Sequence, residues 1–138
     1  MRVVLDTNVI VAAFAVRGLC KDVFEYCLQE TDIISSHSLL DEIQRILSKK
    51  IKLPKSEIES VLAFLREQST IVAADGMPSL SSNLCRDPDD LAVRATAKGG
   101  QAQTIVTGDE DLLILREFEG IRILSPREFW NLLCRPAK

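Results

Sequence analysis

Histidine is nearly absent from this chain: His37 is the only one in 138 residues, and no cysteine lies near it. The cysteines, Cys20, Cys27, Cys85 and Cys134, are far apart except for one i,i+7 pair. Zinc-ligand spacing is therefore missing, and the thiols read as free and mostly buried. Long apolar runs are missing too. Runs such as residues 9–14 and 112–115 fall far short of the roughly 18 needed to span a bilayer, so a soluble protein without a membrane partner is expected. The start MRVVLDTN has one basic residue and no small-residue cleavage site, which reads as cytoplasmic. Nor is there a basic excess: 17 Lys and Arg against 20 Asp and Glu leave a net charge of −3. The surface as a whole is then no nucleic-acid binder, and any such contact must be local. Lys49, Lys50, Lys52 and Lys55 form the one basic cluster that can neutralise a few phosphates, although a solvated helix end has the same composition. Hairpin signals, internal repeats and low-complexity segments are not visible.

What is present is 46% hydrophobic content in a chain of one-domain length, enough for a single core over residues 1–138. Residues 2–5 read as a buried strand, and Asp6, Thr7 and Asn8 are types that cap the helix after it. Residues 21–30 carry Val23, Phe24, Cys27 and Leu28 at helical spacing, and residues 32–35 read as a second strand. A helix over 38–49 has Leu39, Leu40, Ile43, Ile46 and Leu47 as its stripe. Glu42 falls at the edge of that stripe, while Asp41 points away. Ser56 and Glu59 resemble a capping box opening a helix with Ile58, Val61, Leu62 and Leu65 on one face. A short strand over 70–73 and a loop over 75–84 come next. Asp87 is a candidate cap, with Pro88 at the first helical position and Asp89 and Asp90 in the first turn of a helix to about Lys98. Residues 104–107 form a strand, 109–115 a short helical segment and 121–124 another strand; Ser125, Pro126 and Glu128 start the last helix. This alternation predicts an α/β fold, a three-layer α/β/α sandwich around a mostly parallel sheet of about four or five strands.

Acids recur where these elements begin or end. Asp6 and Asp109 follow strands, Asp90 opens a helix and Glu42 sits on a helix that can reach the same edge. Ligands of open parallel sheets bind outside the carboxyl ends of the strands. Singly, each acid has an ordinary explanation: Asp6 and Asp90 as caps, Asp109 and Asp111 in a GDED turn, Glu42 paired with Arg45 or Lys49. Capping, however, uses Ser, Thr, Asn and Asp interchangeably and does not explain a full charge at both strand ends. Crowded carboxylates repel unless a cation lies between them. Magnesium or manganese, hard ions that take oxygen ligands and keep waters, suit such a pocket and point to phosphodiester chemistry.

The segments LDTNV, CRDPDD, IVTGDEDLL and ILSPREF, in this order and spacing, resemble a PIN-domain ribonuclease over nearly the whole chain. More narrowly, they are similar to the bacterial and archaeal toxin components of toxin–antitoxin pairs related to VapC. The resemblance implies a PIN-like α/β/α endoribonuclease dependent on Mg2+ or Mn2+. By position, Asp6, Glu42, Asp90 and Asp109 match the family's acidic quartet, Asn8 and Thr107 its polar supports, and Asp111 a frequent additional acid. It also implies an RNA substrate, an antitoxin partner that inserts a side chain into the acidic pocket, and a homodimer. One departure is Leu91 and Ala92, where members often carry a polar or acidic residue and a lysine; it bears on activity and substrate positioning, not on the fold. A non-catalytic PIN-like module that binds RNA or protein is the alternative. Phosphoryl transfer of the receiver or haloacid-phosphatase kind is disfavoured, because residue 8 is Asn where the phosphatase pattern needs a second Asp.

Overall fold

The computed structural model describes residues 1–73 and 88–134, with the backbone alone at 88–90 and 134. Strand β1 (Arg2–Leu5) leads through α1 (Thr7–Ala15) and α2 (Leu19–Glu30) to β2 (Asp32–Ser35). Helices α3 (His37–Lys49) and α4 (Lys55–Gln68) precede β3 (Ser69–Ile71), and α5 (Pro88–Gly99) precedes β4 (Thr104–Val106). The chain closes with α6 (Glu110–Leu113), β5 (Glu117–Phe118), β6 (Ile121–Leu124), α7 (Pro126–Phe129) and a π-helical turn, Trp130–Cys134. One sheet runs β3-β2-β1-β4-β6-β5, parallel throughout except for the β5–β6 pair.

Alternation along the strands divides the core into two layers, as a sheet buried on both faces requires. Val3, Leu5, Ile33, Val106 and Leu124 pack with α1 to α4 and Phe129; Val4, Ile34, Ile105 and Ile123 pack with Val93 and Ala97 of α5, Leu112 and Phe118. Helix α3 lies at the seam, giving Leu40 and Ile43 to the first layer and Leu39 to the second. The three-layer, mostly parallel architecture read from the alternation is the one observed.

The sheet has one strand more than the expected count. Strand β5 pairs Phe118 with Ile121 through a turn in which Glu119 and Gly120 both have positive φ, 49° and 84°. Glutamate seldom adopts that backbone, so the pair Glu-Gly gives a weak hairpin signal where Asn-Gly would give a strong one. The capping box expected at Ser56 and Glu59 does not form. Helix α4 opens at Lys55 behind Pro54, placing Ser56 inside the first turn, where its carbonyl accepts from the Ser60 hydroxyl. The Ser125–Glu128 box does form, with Pro126 inside it. The loop over 75–84, Cys85 and the cap at Asp87 lie outside the described residues. Cys27 is buried in the first core layer, and burial pushes the Cys20 thiol above its ordinary value, which makes Cys20 a poor nucleophile. No helix among the described residues is long and apolar enough to cross a membrane.

Candidate active site

Chain order reverses between β1 and β4: β2 and β3 lie on one side of β1, and β4 and everything after it on the other. Such a switch point opens a crevice at the carboxyl edge. The register places two of the predicted residues, Asp6 and Thr107, there. Leu5 pairs with Val106 and Val4 with Ile34, so the next positions outward, Ser36, Asp6 and Thr107, stand side by side at the ends of β2, β1 and β4. Each lies two residues beyond Ile34, Val4 or Ile105, which belong to the layer under α5. By the period of two, all three side chains face α5. All three are buried.

This juxtaposition explains the hydrogen bonds. Parallel neighbours lie about 4.8 Å apart, and the Thr107 hydroxyl donates to Asp6 Oδ2 across 2.6 Å. The Thr7 amide donates to Asp6 Oδ1 at 2.7 Å, and the Asp6 amide extends the ladder to the Val106 carbonyl at 2.9 Å. Asp6 thus caps α1 and also aims a fixed carboxylate. Thr107 Oγ1 in turn accepts from the Asp109 amide at 3.0 Å, and Asp109 Oδ1 accepts from the Asp111 amide at 2.9 Å as it caps α6. Asn8 Oδ1 accepts from the Gly108 amide at 3.2 Å, tying the start of α1 to the loop after β4. Asp6, Asn8, Thr107, Asp109 and Asp111 therefore form one connected series across the switch point.

The other predicted residues divide. Glu42 is buried on α3 and pairs with the half-exposed Arg45 at 3.5 Å, whereas its neighbour Asp41 is exposed, the contrast that helical spacing predicts. Asp90 stands in the first turn of α5, and its side chain lies outside the described residues. Among the described residues, no three His, Cys, Asp or Glu side chains converge on one point. Lys49, Lys50, Lys52 and Lys55 are exposed at the end of α3 and the start of α4. Seven residues separate Glu42 from Lys49, roughly 10 Å of helix, directed away from the carboxyl edge where α3 begins. Periodicity missed four buried hydroxyls. Ser36 and Thr96 share a hydrogen bond, and Thr7 Oγ1 and Ser35 Oγ have no hydrogen-bond partner among the described residues. Thr7 and Ser36 carried a signal, as cap-type residues before an apolar stripe.

Residues 2–111 match the sequence pattern of the PIN domain. The chain belongs to the PIN-domain family. Proteins of this family are generally nucleases. As a PIN-domain chain it is similar in fold to a chain in the crystal structure of VapBC2 from Rickettsia felis bound to a DNA fragment from their promoter. The TM-score is 0.65 at 19% identity, over 91% of this chain and 98% of that one. No curated protein sequence matches it.

Proposed function

We propose that this PIN-domain chain is a Mg2+- or Mn2+-dependent endoribonuclease, acting as one domain over residues 1–138 and serving as the toxin of a toxin–antitoxin pair. The observation that carries the reading is the buried Asp6 carboxylate, held by Thr107 at the switch point and linked through it to Asp109. The donor set fits a hard divalent ion. It offers carboxylate and hydroxyl oxygens without histidine or cysteine, and Thr7 Oγ1 and Ser35 Oγ are buried near that edge without partners among the described residues. Asp6, Asp90 and Asp109 would hold the ion. Glu42 would join them or orient the attacking water, with Asp111 a further acid.

When bound, the ion supplies Lewis-acid stabilisation of phosphate charge and a more acidic water. The residues of the chain do the positioning. Thr107 and the Thr7 amide restrain the Asp6 carboxylate, so its orientation precedes metal or substrate binding. Asn8 holds the β4–α6 loop against α1, which keeps Asp109 on the same edge. Lys49, Lys50, Lys52 and Lys55 would meet RNA only as a remote backbone contact. Titration calorimetry with Mn2+, run beside cleavage of a mixed RNA substrate, tests the reading. Saturable binding with chelator-sensitive cleavage is expected, and a protein that neither binds Mn2+ nor cuts RNA overturns it.

The VapBC2 neighbour supports an antitoxin partner, and a homodimer in the cytoplasm belongs to the same proposal. A face for the antitoxin is at hand. Of the apolar positions on α1 and α4, Val9, Ile10, Ile58, Leu62 and Leu65 are core, but Phe14 and Phe64 are over one-third exposed. With Val16, Phe24 and Leu28 they line a cavity of about 450 Å3 rimmed by Arg17, Lys21 and Glu25. Phe14→Asp is expected to weaken binding of the protein encoded in the adjacent reading frame by at least about 30-fold, the scale of a hot-spot aromatic. RNA cleavage by the free chain should stay unchanged. Undiminished binding would remove this face from the interface.

The second reading, a non-catalytic module, is favoured by Leu91 and Ala92. Both are half-buried, and Ala92 packs against the α5 layer. It predicts RNA binding without Mn2+ heat and without cleavage.

A further inference from the structure

Ser36 stands beside Asp6 at the end of β2 and caps α3, its Oγ accepting from the Leu39 amide at 3.3 Å. The same oxygen lies 2.8 Å from Thr96 Oγ1 on α5. Thr96 Oγ1 is also 2.7 Å from the Ala92 carbonyl, which can only accept. A hydroxyl has one proton to give. Thr96 gives its proton to Ala92, so the bond between the hydroxyls must run from Ser36 to Thr96. The result is a directed chain: Leu39 N–H to Ser36 Oγ, Ser36 O–H to Thr96 Oγ1, Thr96 O–H to the Ala92 carbonyl.

We infer that Ser36 and Thr96 are positioning residues that lock α5, the helix carrying Asp90, to the strand end beside Asp6 and to the helix carrying Glu42. Both hydroxyls are buried, Ser36 at 1% and Thr96 at 0% exposure. Breaking the chain therefore leaves a donor unsatisfied rather than returned to water. Of the remaining α5 contacts in this layer, those of Val93, Ala97 and Ala92 are apolar and do not specify direction, and Arg94 meets the face of the Phe118 ring without a directed hydrogen bond among the described residues. Apolar packing tolerates small slips of a helix. A directed hydrogen bond at one point does not. Pinned at Thr96, the helix carries its first turn, six residues and roughly 9 Å away, to a defined place over the edge. The inference rests on the nuclease reading for its functional consequence, but the lock itself does not.

Two measurements on Thr96→Val separate the two. The valine keeps the volume and removes the acceptor that Ser36 needs and the donor to Ala92. Amide exchange, read without metal, should speed about 10-fold or more at Leu39 and over the first two turns of α5, while β1 and β4 keep their protection. In Mn2+ calorimetry the variant should bind about 10-fold more weakly, the scale of losing an outer partner of a metal ligand, and Thr96→Ser should restore both. Wild-type protein that binds no Mn2+ overturns the nuclease reading, and the exchange result then decides the lock alone. Unchanged exchange in Thr96→Val overturns the lock. Faster exchange with undiminished Mn2+ binding overturns its link to the site.

Discussion

Asp6→Asn should lower metal-dependent RNA cleavage by at least about 100-fold, the range seen when a preorganised charged or polar group is removed from a reacting centre. The circular dichroism spectrum should be retained. The hydrogen bonds allow a further, quantitative expectation. In the native chain Thr107 donates to Asp6 Oδ2 and accepts from the Asp109 amide, while Asp6 Oδ1 accepts from the Thr7 amide. An asparagine offers one acceptor and one donor group where two acceptors are needed. If its oxygen faces Thr7, its NH2 faces Thr107, whose own proton then loses its acceptor. If its oxygen faces Thr107, the NH2 meets the Thr7 amide, donor against donor. Either way one buried donor is unsatisfied, at a cost of about 1–3 kcal/mol. The midpoint of urea unfolding should therefore fall, and metal should no longer raise it. Thr107→Ser should be close to wild type in both respects, because it keeps the hydroxyl. An Asp6→Asn protein that cuts RNA at the native rate would sink the assignment of Asp6.

That prediction was half visible in the residue string. Asp6 stands out because a charge follows a buried apolar run, and Thr107 and Asp109 follow a second run of the same kind. Which strands are neighbours was not readable, since β1 and β4 are about 100 residues apart in sequence and meet only through the sheet order. The side-by-side placement of Asp6 and Thr107 is a consequence of that order and of register. Glu42 was separable from Asp41 because helical spacing is local. Strand β5 was not legible, because its turn puts a glutamate in a conformation that glutamate seldom adopts. The lock between Ser36 and Thr96 was beyond reach for another reason: threonine inside a helix ordinarily bonds its own backbone, and the contact that gives it a second role comes from 60 residues away.

Arg94→Met should stabilise the protein. Arg94 is the largest fully buried side chain among the described residues; among those residues its Nε, Nη1 and Nη2 atoms have no hydrogen-bond partner, and its guanidinium lies 4.3 Å above the Phe118 ring. Taking a guanidinium out of water costs several kcal/mol. The aromatic face returns about 2 kcal/mol when desolvated, so the desolvation term is the larger. Methionine fills much of the space of the arginine stem, keeps contact with Phe118 and carries no charge. Replacing buried charge by apolar volume is worth about 1–4 kcal/mol, which for a chain of this length raises Tm by roughly 3–12 °C. Arg94→Ala provides the internal comparison, because it removes the same charge but leaves a cavity costing about 2–5 kcal/mol; it should fall well below the methionine variant. The order expected in a melting experiment is Met above wild type, with Ala below Met. A methionine variant that melts lower than wild type would mean that the guanidinium gains more in place than the Phe118 ring alone supplies. The position matters beyond stability, since Arg94 is two residues from Thr96 on the helix that carries Asp90. Arg94→Met measures how much stability α5 gives up by burying that cation.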